Sequence, residues 1–140
     1  MKFEFTNLDV VLNELDKKIS DEALKKSVGQ ACAIVEREAI TKAPKDTGAL
    51  RRSIQSTIKK EDGQIVGTVF SDAEYSAYIE FGTGLFAEEG DGRKKPWSYQ
   101  DDKGKWHTTS GMKPHPFLRP AFAENREKIK QKIMEGIIDD

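Results

Sequence analysis

Apolar positions near the start of the chain recur at spacings of three and four. Leu8, Val11, Leu12, Leu15 and Ile19 predict a short amphipathic helix over residues 8–18. A second helix is expected after Ser20, whose hydroxyl suits an N-cap and which is followed by Asp21 and Glu22, acids that favour the positive end of a helix. Leu24, Val28, Ala31, Val35 and Ala39 form one stripe along it, and Pro44 requires it to stop. The period then changes. Residues 54–60 alternate loosely and residues 65–71 are rich in β-branched side chains. Glu61-Asp62-Gly63-Gln64 between them predicts a tight hairpin that sets Ile58 opposite Gly67 and Ser56 opposite Val69. Residues 73–81 predict one or two helical turns with Tyr75, Tyr78 and Ile79 on one side, broken by Gly82-Thr83-Gly84.

Residues 85–113 are the least core-like part, with Gly, Lys and Glu crowded at 87–95. They hold a second hairpin candidate, residues 97–100 and 105–108 joined by Asp101-Asp102-Lys103-Gly104. That register places Tyr99 opposite Trp106, with Trp97 diagonal to it on the same face. The three rings either fold back on their own sheet or project as an apolar binding patch. Beyond Pro114 and Pro116, residues 117–138 predict one long helix through Leu118, Ala121, Phe122, Ile129, Ile133 and Ile137, with Pro120 in its first turn, where a missing N–H costs nothing. This order predicts an α+β fold: an antiparallel sheet built from hairpins, with N- and C-terminal helices packed on one face. One domain over residues 1–140, with a hairpin insertion at about 85–113, fits the length.

Composition adds exclusions. With 36% apolar and 34% charged residues and no long apolar run, the chain reads as water-covered rather than membrane-spanning. The start, Met1-Lys2-Phe3-Glu4-Phe5-Thr6, lacks the pattern of a secretion signal. The single cysteine, Cys32, lies in a helical pattern and reads as a buried thiol, in keeping with folding in a reducing cytoplasm. Basic against acidic residues number 7 to 8 over residues 1–42, 5 to 6 over 43–84, 6 to 5 over 85–116 and 5 to 5 over 117–140. A nucleic-acid binder concentrates its basic residues, so sequence-specific binding to nucleic acid is not expected.

Asp46-Thr47-Gly48-Ala49 matches the catalytic tetrapeptide of retrovirus-type aspartic peptidases, homodimers in which two aspartates share a proton. This is the alternative function. Its context differs from a peptidase loop, because Asp46 follows Ala43-Pro44-Lys45, and the companion signature could only be Ile65-Val66-Gly67, which reads as a hairpin strand. The plainer reading has Asp46 capping a short helical turn. Gly82-Thr83-Gly84 lacks the Lys-Ser/Thr ending of a phosphate loop. His107 and His115 have no companion ligands for a closed zinc site. Glu80 is a lone carboxylate, read as a cap or a partner for Arg51, Arg52 or Arg119. No catalytic residue, metal or cofactor is expected.

Three motifs remain: Ala43-Pro44-x-Asp46-Thr47-Gly48-x-Leu50-Arg51-x-Ser53-Ile54, Tyr78-x-Glu80-Phe81-Gly82-Thr83, and Pro116-Phe117-Leu118-Arg119-Pro120-Ala121. Each sets turn formers beside bulky apolar residues, as an elbow pinned into a core does. Jointly, over about residues 20–125, they resemble the tail-component family of long-tailed bacteriophages known as the "gene product ten" family. The resemblance implies a structural virion protein of the head–tail junction or tail end, located in the virion and folded in the bacterial host cytoplasm. It implies other phage tail or junction proteins as partners, a homo-oligomeric ring as the assembled form, and no catalytic residues. Residues 85–113 fall where members of that family vary, and Trp97, Tyr99 and Trp106 are the candidate interface.

Overall fold

Ser20 and the acidic pair behind it start the longest element, α1 (Asp21–Lys42). The Ser20 hydroxyl accepts the Ala23 N–H at 3.1 Å, and the last turn closes as the Ala43 N–H donates to the Ala39 carbonyl at 2.9 Å. The computed structural model describes residues 2–6, 20–45, 48–88, 90, 92–101 and 103–138, so the helix expected over 8–18 lies outside the described residues, as do Asp46 and Thr47. The described chain divides into two compact units, Met1–Asp72 with Phe117–Asp140, and Ala73–Pro116. The second begins at Ala73, well before the insertion expected at about residue 85.

In the first unit the strands β1 (Lys2–Thr6), β2 (Ile54–Glu61) and β3 (Gln64–Ser71) form an antiparallel sheet in the order β1-β3-β2. The hairpin register is as expected, with Ile58 paired to Gly67 and Ser56 to Val69. Its turn residues Asp62 and Gly63 have φ of 50° and 79°. Two positive φ values make this the tight turn whose twist matches that of its strands, and Asp-Gly is the pair that tolerates it. β1, which pairs Phe3 with Val69, was not expected. Five residues at the chain start give too short an alternation to read.

α1 lies on β2 and β3. Its stripe of Leu24, Val28, Ala31, Val35 and Ala39, with Cys32, is buried together with Ile54, Ile65 and Val69 of the sheet. Each large aliphatic side chain so buried contributes about 1.5–3 kcal/mol before conformational entropy opposes it. Ser56 and Lys60 extend the same face of β2 toward the helix. The Ser56 hydroxyl donates to Glu36 at 2.9 Å, and the Lys60 ammonium meets Asp21 at 2.6 Å. Burial, with Glu36 nearby, pushes the Cys32 thiol up to about 12, so it is an unreactive core group.

The mixed α+β class holds, and the C-terminal end is more divided than expected. It forms α4 (Leu118–Ala123) and α5 (Arg126–Ile138), which pack mainly on α1. The break is at Asn125, a buried residue whose amide donates to the Ala121 carbonyl at 2.7 Å while its own carbonyl accepts the Ile129 N–H at 2.8 Å. An Asn that satisfies one helix end and opens the next competes with a continuous helix. α5 comes so close to α1 that a Cβ at Gly136 would lie 2.8 Å from the Ser27 Cβ and collide with its hydroxyl. Gly136→Ala is therefore expected to lower stability by about 1–3 kcal/mol, read as a lower urea midpoint with an unchanged slope.

The second unit contains α3 (Ser76–Phe81), a single 3₁₀ turn at Gly84–Phe86, and the hairpin β4 (Trp97–Gln100) and β5 (Trp106–Thr109). Gly82-Thr83-Gly84 ends α3, as expected, and then runs beside Ser110-Gly111-Met112. The Thr83 N–H donates to the Met112 carbonyl at 2.8 Å, the Met112 N–H returns a bond to Thr83 at 3.2 Å, and the Leu85 N–H reaches Ser110 at 2.9 Å.

Candidate assembly surface

The first motif is a structural elbow. Gly48, with φ of 80°, leads into the short helix α2 (Ala49–Ser53). Leu50 is buried, and Arg51 turns back to the end of α1, donating from Nε and Nη2 to the Ala43 carbonyl at 3.2 and 3.0 Å. The guanidinium thus satisfies carbonyl groups that the end of α1 leaves without helical partners. The Ser53 hydroxyl lies 2.7 Å from that of Ser71, tying α2 to the end of β3. The third motif buries Phe117, Leu118 and Ala121 and puts Pro120 in the first turn of α4, as the sequence led one to expect. In the second motif Glu80 is wholly buried while Tyr78 stands 60% exposed.

The hairpin departs from its expected register by one residue. Tyr99 pairs with His107, Gln100 with Trp106 and Trp97 with Thr109. Asp101 is the cause. It belongs to the ladder, its N–H donating to the Lys105 carbonyl at 2.9 Å, and its Oδ1 accepts the N–H groups of Lys103 and Lys105, each at 2.9 Å. The loop is three residues, with Gly104 at φ of 80°, rather than the four assumed. A one-residue shift reverses a strand's faces, so Trp106 stands opposite the side that carries Trp97 and Tyr99, and the three rings do not form one patch. Tyr99 stacks on His107 with centroids 5.3 Å apart, and Arg93 lies over Trp97 at 5.7 Å.

His107 Nε2 lies 2.7 Å from Asp101 Oδ2. That bond first, then the amides of Lys105 and Lys103, holds the Asp101 carboxyl below its ordinary value. A carboxyl lowered by folding contributes stability that is present above its unfolded value and is lost as pH falls through the folded one. The Lys103 and Lys105 amide signals are expected to stay ordered through the usual carboxylate range and to shift only in stronger acid. In Asp101→Asn they should lose that acid transition.

Among the described residues, the exposed large apolar side chains are Ile58 in the first unit and seven in the second. Tyr75, Tyr78, Leu85 and Phe86 lie before residue 93, and Tyr99, Trp106 and Met112 after it. Leu85, Phe86 and Met112 were missed by the sequence reading, which singled out only the three hairpin rings within residues 85–113. The unit also holds an open cleft of about 650 Å³, lined by Tyr78, Phe81, Arg93 and Trp97 together with Gly82, Gly84 and Gly92. Among the described residues no group of His, Cys, Asp and Glu is placed to hold a metal ion, and no helix is long and apolar enough to cross a membrane. Ile65-Val66-Gly67, the companion signature a peptidase would need, is part of the central strand β3.

A small α+β protein with pinned corners and a concentration of exposed rings is of the kind that works through surfaces. The model of the family described as "Bacteriophage HK97-gp10, putative tail-component" matches residues 8–82, over half the chain, taking in the first motif and the second as far as Gly82, and the chain belongs to that family of phage tail components. No curated protein and no solved structure matches it.

Proposed function

We propose that this chain is a structural subunit of the head–tail junction or tail end of a long-tailed phage, a neck or tail-completion component without catalytic activity. It acts in the virion as a homo-oligomeric ring that stacks on neighbouring junction or tail proteins, after folding in the cytoplasm of the bacterial host. The observation that carries this reading, given membership of the tail-component family, is the gathering of exposed aromatic and aliphatic side chains in the Ala73–Pro116 unit. Exposed apolar side chains so concentrated in one unit suit a protein that works through contacts with other proteins. A ring through which DNA passes must not grip it, and a net charge of −1 suits that role.

Purified protein mixed with tail tubes or with portal-capped heads should attach at one end, seen by electron microscopy, and should restore infectivity to a deletion phage. Failure of both would overturn the proposal. Trp106 is 66% exposed, so Trp106→Ala should change stability by less than about 0.5 kcal/mol yet weaken attachment. Loss of the folded state by circular dichroism would instead place that ring in a core.

A further inference from the structure

The hairpin β4–β5 is the whole of its sheet, so neither of its outer edges has a described strand beside it. Its contacts are mainly those between its own two strands. A two-stranded hairpin is marginal in water by itself and gains stability from further strands or from a helix laid against it. Native sheets guard bare edges with charges, prolines or bulges. Trp97-Ser98-Tyr99-Gln100 and Trp106-His107-Thr108-Thr109 contain no Lys, Arg, Asp, Glu or Pro, and their register runs without a bulge. The ladder also shows which backbone groups the edges offer. The Asp101 N–H donates to the Lys105 carbonyl, so that pair is a hydrogen-bonded one. Alternation along an antiparallel ladder then makes Tyr99–His107 and Trp97–Thr109 hydrogen-bonded pairs as well. Ser98 and Gln100 on β4, and Trp106 and Thr108 on β5, therefore direct their N–H and C=O groups outward.

The exposed rings point the same way. Tyr99 is 47% and Trp106 66% exposed, and they stand on opposite faces of the hairpin. A partner laid on one face would cover only one of them, whereas a strand added in the plane of the sheet gives both a cross-strand neighbour. We propose that the outer edge of β5 in one copy pairs antiparallel with the outer edge of β4 in the next. Strand directions then alternate through every copy, and closing the ring leaves no bare edge. Such a contact joins two different edges of the same chain, which is the heterologous arrangement a ring needs. The occupant is a second copy because a foreign strand on one edge leaves the other bare, whereas like copies satisfy both. This contact rests on the ring-subunit reading for its biological setting. Four-residue strands supply few hydrogen bonds, so the rings brought together across the seam supply much of the affinity.

The full chain should self-associate in sedimentation equilibrium below about 0.5 mM. On association, amide hydrogen exchange at Ser98, Gln100, Trp106 and Thr108 should slow about tenfold or more. Proline at an outward position removes an edge N–H and leaves the ladder's own bonds intact, so it is tolerated there. Ser98→Pro and Thr108→Pro should each be monomeric while the Lys103 and Lys105 amide signals keep their wild-type positions. Ser98→Ala, which retains the N–H, should associate as the wild type does. Mixed in equal amounts, the two proline variants should form dimers and nothing larger, because each keeps one intact edge. A chain that stays monomeric, association that leaves those four amides exchanging freely, or dimers of either proline variant alone would each overturn the contact. The exchange measurement uses the wild-type chain, so it decides even where a proline unfolds the hairpin. Should Thr108→Pro still attach to tails as a ring, the contact fails and the tail reading stands. Should the wild-type chain associate as described yet never attach to tails or heads, the reverse holds.

Discussion

Gly84→Ala should disorder the Ala73–Pro116 unit. Gly84 has φ of 61°, and a Cβ there would overlap the Ser110 carbonyl oxygen and lie 2.7 Å from the Gly111 Cα. Neither neighbour is a flexible side-chain tip; both are backbone, held by the Leu85–Ser110 and Thr83–Met112 hydrogen bonds. The left-handed conformation costs a residue with a Cβ about 1–2 kcal/mol, and the overlap adds about 1–3 kcal/mol. Both tryptophans of the chain, Trp97 and Trp106, belong to this unit, so their fluorescence reports on it alone. A wild-type emission spectrum and an unchanged midpoint in the variant would show that the crossing can widen at little cost.

Phe117→Ala should be the most damaging single truncation in the other unit. Phe117 is fully buried, the largest such side chain among the described residues, at the entry to α4. Removing a buried phenyl ring costs about 3–5 kcal/mol, a large share of the roughly 5–15 kcal/mol by which domains of this size are stable. Phe117→Leu should recover most of the loss, because it keeps the apolar volume and leaves a smaller cavity. Equal midpoints for Phe117→Ala and the wild type, by urea denaturation, would mean that the third motif does not anchor this core.

Those parts of the fold that depend on local rules were legible. The α1 stripe follows from helical spacing, its start from Ser20, and the β2–β3 register from the Asp62-Gly63 turn, because each signal lies within a few residues of its effect. The errors arise where a polar side chain takes over the backbone. Asn125 ends one helix and opens another inside a continuous apolar pattern. Asp101 joins the ladder and shortens the loop, and the face of Trp106 follows from that single residue. The surface was read only in part. Trp97, Tyr99 and Trp106 were singled out, but their division between two faces follows from the hairpin register, and the exposure of Leu85, Phe86 and Met112 from packing that no local pattern records. Family resemblance supplied what the residues could not, since nothing in spacing or charge specifies a phage tail.

The sheet order leaves β2 as an outer strand eight residues long, with no described strand beyond it. Unpaired strand edges invite the same chain to add itself, and runaway fibres follow when they do. Lys59 and Lys60 sit near the turn end of this border, with Lys60 fastened to Asp21. The two ammonium groups lie on opposite faces of the strand, and desolvating them makes edge-to-edge growth unfavourable. A charged border of that kind works against pairing of one sheet with the next.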